Sequence, residues 1–267
     1  MAKTLPALLD KMWNDYVAIN PLAKKIYDLM VSEGEKIQND HIALRTFNHP
    51  RVSVDVIAAP FVASGYVYKG DYQFPEKKLY AKHYEHSDET LPKIFISELK
   101  LEEFSPALRS MVEGFISQIP AGKEKDFDFS SQGRPWKCTI AQYKELLKES
   151  DYAAWVAAFG YRPNHFTVFI NVLKKFSDIK FLNDWLKGKG YQLNSSGGEV
   201  KGTPEVFLEQ SSTLANNIEV SFDDGKLTIP ACYYEFAKRY PLKSGKLYQG
   251  FVAASADKIF ESTNRGQ

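Results

Sequence analysis

The sequence contains few cysteines and no long apolar run, and each absence excludes a class of protein. Cys138 and Cys232 are the only two cysteines among 267 residues, so a disulfide framework is implausible and reducing surroundings fit. No apolar run approaches the roughly 20 residues that a transmembrane helix needs. Asp10 and Lys11 interrupt the N-terminal segment MAKTLPALLDKMW, which is untypical of a signal peptide. We therefore expect a cytoplasmic protein without a membrane partner.

The sequence also has little excess charge and lacks the signatures of several enzyme classes. Its 34 basic and 33 acidic residues leave a formal net charge of +1. That balance provides no overall attraction for nucleic acid or anionic lipid. The sequence contains no G-x-S-x-G elbow, no G-x-x-x-x-G-K-[ST] loop, no G-x-G-x-x-G fingerprint and no C-x-x-C pair. We expect no nucleic-acid partner, and the chemistry of those motifs is poorly supported.

What the sequence does contain is a repeated order of strands and helices. Hydrophobic residues make up 44% of the chain and aromatic residues 14%, which suits a domain with a sizeable core. We predict two helices in residues 1–37, a β-α-β-β-β order in residues 38–100 and a helical insertion in residues 101–160. The β-α-β-β-β order then returns in residues 161–267. The prediction is a single α+β catalytic domain, 1–267, in which two βαβββ modules face each other.

The spacing of hydrophobic residues predicts individual helices and strands in the second half of the chain. Residues 140–160 have a helical period, and an N-cap pair at Ser177 and Asp178 precedes another amphipathic segment. The remaining apolar segments predict strands. They cover residues 164–173, 205–215, 216–224 and 227–240.

The two modules match in the position of particular polar residues. The first strand of one module begins Asp40-His41, and that of the other begins Asn164-His165. The last strand of each module also carries a glutamate among apolar residues, Glu98 in the first and Glu235 in the second. Matched polar positions in a repeat suggest a pseudo-twofold axis with a shared site.

Two histidines and one carboxylate can hold a divalent ion and leave adjacent positions free, which suits Fe(II) oxygenases. The repeat therefore suggests a mononuclear metal site at His41, His165 and Glu235. Because side chains alternate along a strand, Arg45 should share a face with His41, roughly 13 Å away at a rise of roughly 3.3 Å per residue. A guanidinium there could pair with a substrate carboxylate.

Other interpretations of these residues remain open. A histidine on a strand is often a hydrogen-bonded structural residue, and Glu235 beside Arg239 could form an ion pair instead of binding a metal. His83 and His86 are a competing ligand pair, although their spacing places them on opposite faces of a strand.

Four segments of the chain resemble a known family. DHIALRTF, NHFTVFIN, CYYEFAKRYP and GFVAASADKIFEST are similar to the iron-dependent 2-oxoadipate dioxygenase/decarboxylases, also called hydroxyglutarate synthases. The resemblance covers most of the chain. It implies the architecture of the vicinal oxygen chelate enzymes, in which paired βαβββ modules surround one metal, and it implies Fe(2+) as the cofactor. The family's metal ligands fall on His41, His165 and Glu235.

The resemblance also implies a reaction and further site residues. The family converts 2-oxoadipate, or a similar 2-oxo acid, and O₂ to 2-hydroxyglutarate and CO₂. The oxo acid would chelate the iron next to His41 through its 1-carboxylate and 2-keto oxygens. The family's substrate-binding arginine falls on Arg45, and a second substrate contact falls on Ala254 and Ser255.

Two other functions fit the same residues. With Zn(II) or Mn(II), the scaffold could polarise a carbonyl or activate water, as a lyase, isomerase or hydrolase does. A non-catalytic module that only binds an oxo acid is the third hypothesis, and it predicts binding without turnover.

Overall fold

The computed structural model describes residues 3–263, so residues 1–2 and 264–267 of the predicted first and last segments lie outside the description. The chain begins with two helices, α1 (Leu5–Ile19) and α2 (Pro21–Ser32). Asn20 caps α2, because its side chain accepts a hydrogen bond from the backbone N–H of Ala23. No helix within residues 3–263 is long and apolar enough to cross a membrane.

The first βαβββ module is present as predicted. Its elements are β1 (Asn39–Phe47), α3 (Val54–Val62), β2 (Val67–Phe74), β3 (Leu79–Glu85) and β4 (Lys93–Leu99). Strand β4 runs parallel to β1, and β3 lies antiparallel between β4 and β2. Strand β1 therefore occupies the inner end of this module, where it can meet the second one.

The helical insertion contains three helices of at least eight residues, α4 (Pro106–Ile116), α5 (Ile140–Leu147) and α6 (Asp151–Phe159). The single helical segment predicted over 140–160 is thus divided. Ser150 is the reason, because its side chain accepts a hydrogen bond from the Ala153 N–H and starts a new helix there.

The second module follows the predicted order but contains an extra hairpin. Strand β5 (Pro163–Phe169) and helix α7 (Ile179–Gly188) come first, and the Asp178 side chain caps α7 as predicted. The strands that follow are β6 (Lys201–Thr203), β7 (Leu208–Ser212), β8 (Asn217–Phe222), β9 (Gly225–Pro230) and β10 (Tyr233–Arg239). Strands β8 and β9 pair only with each other, in a separate two-stranded sheet.

This arrangement corrects the prediction of one long strand over 227–240. That segment is two strands, β9 and β10, which belong to different sheets. Strand β9 is not part of the main sheet. The short edge strand β6 occupies the position in the second module that β2 has in the first. The segment between β9 and β10 includes Ala231 and Cys232, both fully buried. Cys232 is a core residue, as expected for a small apolar side chain.

The main sheet joins the two modules into one eight-stranded unit with the order β2-β3-β4-β1-β5-β10-β7-β6. The modules meet where β1 pairs antiparallel with β5, and each module contributes the same sequence of strands outward from that joint. Helix α8 (Ala253–Phe260) contacts β2 at one edge and β6 at the other. The sheet therefore curls, and α8 closes its opening. Paired βαβββ modules are the predicted architecture, so the fold class is confirmed.

Candidate metal centre

The three predicted metal ligands lie together on the inner face of the sheet, near the joint between the modules. His41 is on β1, His165 on β5 and Glu235 on β10, and all three side chains are buried. The Glu235 carboxylate lies between the imidazoles, with Oε1 3.6 Å from His41 Nε2 and Oε2 3.2 Å from His165 Nε2. One ligand atom from each residue falls within 4.8 Å of the others. No other group of three or more potential ligands occurs within residues 3–263.

The electrostatics of these side chains fit a divalent cation. Burial lowers the pKa of His41 and lowers that of His165 further, so both imidazoles are neutral and can donate a lone pair. Burial also raises the pKa of Glu235 to about 8. Its Oε2 atom has no hydrogen-bond partner among the described residues. A buried carboxylate with an unpaired oxygen, facing two neutral imidazoles, is the donor set that a 2-His-1-carboxylate metal site requires.

His41 is held by a buried ion pair. Its Nδ1 lies 2.8 Å from Asp40 Oδ1. The Arg239 guanidinium donates to both oxygens of Asp40, from Nε at 2.6 Å and from Nη2 at 2.8 Å. Burial opposes ionisation, but the positive charge of Arg239 holds the pKa of the Asp40 carboxyl well below its usual value. A charged Asp40 accepts the Nδ1 proton and directs Nε2 of His41 into the site.

The interpretation of Glu235 as the ion-pair partner of Arg239 is therefore wrong. Arg239 shares a strand with Glu235 but pairs with Asp40, and its remaining Nη1 donates to the carbonyls of Tyr248 and Gly250. Glu235 accepts instead from the side-chain amide of Gln210, at 2.6 Å.

His165 is supported in the same way as His41, by the residue that precedes it. Asn164 Oδ1 lies 3.1 Å from His165 Nδ1 and accepts its proton. The short polar residue before each histidine, noticed in the sequence as part of the repeat, thus has a physical role. It fixes the tautomer and directs Nε2 towards the candidate metal site.

We expect Asn164→Ala to weaken metal binding by roughly 10- to 100-fold, the usual effect of removing a group that orients a ligand. Asn183→Ala is a matched control, because Asn183 is equally buried and its Oδ1 accepts a hydrogen bond from the Ser211 hydroxyl, away from the triad. Titration of both metal-free proteins with Fe(II) under nitrogen gives the two affinities. Equal affinities for the two variants would show that Asn164 does not orient His165.

The predicted equivalence of Glu98 and Glu235, as matching positions of the two modules, is wrong. Strand pairing places Tyr233 of β10 beside His165, and Lys93 of β4 beside His41. Two residues further along each of these strands, Glu235 and Phe95 therefore occupy equivalent positions. Glu98 lies on the opposite face, where its carboxylate accepts the N–H of Val54 at the start of α3. Only the second module therefore supplies a carboxylate, and the first supplies the Phe95 ring to the same cavity.

The competing pair, His83 and His86, does not form such a centre. His83 is buried, with Nδ1 3.0 Å from the Tyr72 hydroxyl and Nε2 3.0 Å from Glu85 Oε1. His86 follows the end of β3, and its Nδ1 accepts the N–H of Asp88. Both histidines have local hydrogen-bonding roles.

Arg45 lies on the triad face of β1 and is surrounded by aromatic rings. Its guanidinium carbon is 5.0 Å from the ring centres of Tyr152 and Trp155 and 5.7 Å from that of Phe260. The side chain is buried. It makes no ion pair within the described chain, and its Nε has no hydrogen-bond partner there. A buried guanidinium without an anion is unusual, because charges buried in proteins are normally paired.

Two residues of the Arg45 environment come from the helical insertion, which sequence reasoning did not connect to the site. Tyr152 and Trp155 lie on α6, and hydrogen bonds fix both rings: the Tyr152 hydroxyl donates to the Ser97 carbonyl and the Trp155 indole to the Ala231 carbonyl. The insertion thus builds one side of the Arg45 environment. The continuous burial of α6 was the available signal, since a helix apolar on every side is enclosed by protein.

The two C-terminal residues expected at the substrate lie elsewhere on α8. Ala254 is exposed beside Gln73, and Ser255 is buried against Gly202. Helical spacing turns Ala254 away from the triad, whereas Ser255, four residues before Ile259, lies at the margin of the side that faces it. The α8 residues that line the triad cavity are Ala256, Ile259 and Phe260. The substrate contact of Ala254 and Ser255 stays a prediction.

The cavity against the triad is small and mostly apolar. It has a volume of about 20 Å³ and is lined by all three candidate ligands, with Phe251 from the C-terminal segment on the opposite side. That volume is room for roughly one water molecule. Larger clefts of about 240 and 360 Å³ occur at the surface, but no triad residue lines them. The buried donor set, not cavity size, marks the site.

Comparison with known proteins agrees with this geometry. The model of the 2-oxoadipate dioxygenase/decarboxylase family matches residues 8–132 and 124–249. A chloroplastic 2-oxoadipate dioxygenase/decarboxylase of Arabidopsis thaliana is 33% identical over 98% of this chain and 78% of its own length. The Oryza sativa hydroxyglutarate synthase, solved in complex with 2-oxoadipate, is 34% identical, with a TM-score of 0.92 over 97% of this chain and 91% of that one.

A bacterial structure is more similar in sequence. A protein from Shewanella frigidimarina, provisionally described as a hydrolase, is 53% identical, with a TM-score of 0.90 over 95% of this chain and 100% of that one. The family model covers nearly the whole chain, and the curated relative aligns with almost all of it. The chain therefore belongs to the 2-oxoadipate dioxygenase/decarboxylase family.

Proposed function

We propose that this protein is an Fe(II)-dependent oxygenase that converts 2-oxoadipate and O₂ to 2-hydroxyglutarate and CO₂. The observation that carries the proposal is the buried triad of two neutral imidazoles and one carboxylate, in a chain that belongs to this family. The reaction balances, because the six carbons of 2-oxoadipate leave as a five-carbon hydroxy acid and one CO₂, with both atoms of O₂ retained in the products.

His41, His165 and Glu235 would hold the iron. When bound, iron would supply the electrons that O₂ activation requires, and the protein's task is then to bind, orient and exclude water. The Arg239–Asp40 pair fixes His41, while Asn164 fixes His165. The walls of the cavity are mostly apolar, and its volume accommodates only about one water molecule. Bulk solvent is therefore kept away from the reacting groups.

Arg45 would bind the distal carboxylate of the substrate. Its charge is buried and has no anionic partner in the described chain, and a planar guanidinium can accept a carboxylate with two parallel hydrogen bonds. The cavity must enlarge before a six-carbon acid can enter. Since Phe251, Ile259 and Phe260 form its outer wall, we propose that the C-terminal segment moves to admit the substrate.

We expect the Fe(II)-loaded protein to consume O₂ when 2-oxoadipate is added, and to convert none of it under strict anaerobiosis. An oxygen electrode and product analysis by mass spectrometry give both results. A panel of other 2-oxo acids tests substrate identity. If none of these acids caused O₂ uptake, the proposed oxygenase reaction would be refuted, but the assignment of the metal site would not.

The alternative as a lyase, isomerase or hydrolase is kept because the Shewanella frigidimarina relative carries a hydrolase description. Turnover under nitrogen, with Zn(II) or Mn(II) in place of iron, would favour it. Ligand binding without turnover under either condition would favour a non-catalytic module.

We also propose a cytoplasmic location. Cys138 and Cys232 are both free and buried, which suits reducing surroundings. The Arabidopsis relative is described as chloroplastic, and fractionation of the source cells would test the location for this chain.

A further inference from the structure

Tyr233 lies beside the metal ligands and has an unpaired polar group. It is fully buried on β10, and its ring stacks on the imidazole of His165 with 4.5 Å between ring centres. It lines the same cavity as the triad. Its hydroxyl donates no hydrogen bond in the part of the chain that the structure describes. Because Tyr233 lines the triad cavity, a ligand bound there could accept the hydrogen bond that no described residue accepts.

The backbone holds Tyr233 firmly in that position. Its carbonyl accepts a hydrogen bond from the Tyr16 hydroxyl of α1, and its strand neighbour on β5 is His165. Full burial and the stacking contact with His165 hold the ring itself in place. The unpaired hydroxyl is fixed in place, as a group that binds a ligand must be.

Arg45 supplies a positive charge near that hydroxyl. Strand register places Ala43, two residues before Arg45 on the same face, beside His165, and Tyr233 lies on the other side of His165. Arg45 and Tyr233 therefore lie on either side of His165 on the same face of the sheet, and the Arg45 side chain interacts with the Tyr233 hydroxyl. The Arg45 Nε has no hydrogen-bond partner among the described residues, and the Tyr233 hydroxyl proton has no acceptor there.

We propose that the Tyr233 hydroxyl donates a hydrogen bond to the same distal carboxylate that Arg45 binds, and so helps to select dicarboxylic 2-oxo acids. The inference rests on the proposed function for the identity of the ligand. A hydroxyl and a guanidinium together offer three or more donors to one carboxylate, which can accept about four hydrogen bonds. A 2-oxo acid that ends in a methyl group would leave both donors unpaired, and sites of this kind reject such analogues strongly.

The next residue along the strand provides a matched control. Tyr234 is also fully buried, and its hydroxyl also lacks a partner among residues 3–263. It points to the opposite face of the sheet, where its ring packs near Trp13, Tyr16 and Phe236. Replacement of either tyrosine by phenylalanine removes one buried hydroxyl from the same strand, but only Tyr233→Phe removes it from the cavity.

The test compares Tyr233→Phe and Tyr234→Phe with the wild-type protein, all loaded with Fe(II). Calorimetry under nitrogen gives the Kd for 2-oxoadipate and for 2-oxohexanoate, the six-carbon acid without a distal carboxylate. We expect Tyr233→Phe to weaken 2-oxoadipate binding about tenfold or more, the loss typical of one charge-assisted hydrogen bond. Binding of 2-oxohexanoate should not change, and KM should rise more than kcat falls. Tyr234→Phe should leave both Kd values as in the wild type.

Three results would overturn the proposal: an unchanged Kd for 2-oxoadipate in Tyr233→Phe, an equal loss for both acids, or an equal loss in Tyr234→Phe. Iron content and melting temperature, measured on each protein, show whether a loss comes from the metal site or from folding. The Kd comparison does not require turnover. Wild-type protein that binds 2-oxoadipate but consumes no O₂ would refute the proposed function and leave this inference standing, whereas failure to bind either acid would refute both.

Discussion

His41→Ala is expected to bind no stoichiometric iron and to lose nearly all O₂ uptake with 2-oxoadipate. The substitution removes one of three buried donors and leaves the Glu235 carboxylate with a single imidazole beside it. A catalytic metal contributes several kcal/mol to the stabilisation of a transition state. We therefore expect a fall of roughly a thousandfold or more in rate, at roughly 1.4 kcal/mol for each factor of ten.

His83→Ala is the control for this substitution. His83 is as buried as His41 and belongs to the same sheet, but its ring nitrogens bond to Tyr72 and Glu85 instead of facing the triad. We expect it to retain iron, measured by metal analysis after removal of free ions. Equal iron content in His41→Ala and the wild type would contradict the assigned metal ligands.

Arg45→Lys is expected to retain iron but to lose at least tenfold in kcat/KM for 2-oxoadipate. A guanidinium can bind a carboxylate with two parallel hydrogen bonds, and an ammonium cannot reproduce that geometry. Each charge-assisted bond is worth roughly 1.5–3 kcal/mol, and roughly 1.4 kcal/mol corresponds to a factor of ten in rate. The flat guanidinium also fits between the rings of Tyr152 and Trp155, where a lysine would leave space.

The competing view is that Arg45 only supports the fold. Its lack of an ion-pair partner in residues 3–263 argues against that view, since a structural arginine at this depth would be paired. Steady-state kinetics, iron content and thermal unfolding of Arg45→Lys separate the two. A less stable enzyme with unchanged kcat/KM for its best 2-oxo acid would contradict the substrate-binding role.

The sequence was sufficient to predict the triad because the signal is local and repeated. Each ligating histidine follows a short polar residue at the start of a strand, and the alternation of side chains along β1 and β5 decides which face they occupy. Two such strands in two similar modules must meet at the module joint. Glu235 was selected through its supposed match with Glu98; that match is wrong, but Glu235 does lie between the two histidines.

Strand register could not be predicted in the same way. Glu98 and Glu235 occupy comparable places when the last strands are counted by sequence, yet pairing with β1 and β5 shows that Phe95 is the true counterpart. A shift of one residue moves a side chain to the other face of a sheet. Sequence pattern alone does not determine how far two strands are offset, so a match at the level of residue type was misleading.

The walls of the site depend on contacts between distant segments. Tyr152 comes from the helical insertion and Phe260 from the C-terminal helix, and both reach Arg45 on β1 only after the sheet has curled. The β8–β9 hairpin is a similar case, because it forms its own sheet and contacts α5 of the insertion. The spacing of hydrophobic residues predicts that such helices and strands exist, but not which parts of the protein they pack against.

The central claim is that O₂ reacts with a 2-oxo acid at the triad, and isotope labelling tests it most directly. CO₂ that derives from the 1-carboxylate carries away two oxygens of 2-oxoadipate, so both atoms of O₂ must enter 2-hydroxyglutarate. We expect mass spectrometry of the product formed under ¹⁸O₂ to show two labelled oxygens with wild-type protein and no product with His41→Ala. Unlabelled 2-hydroxyglutarate, or the same yield under nitrogen, would contradict the account.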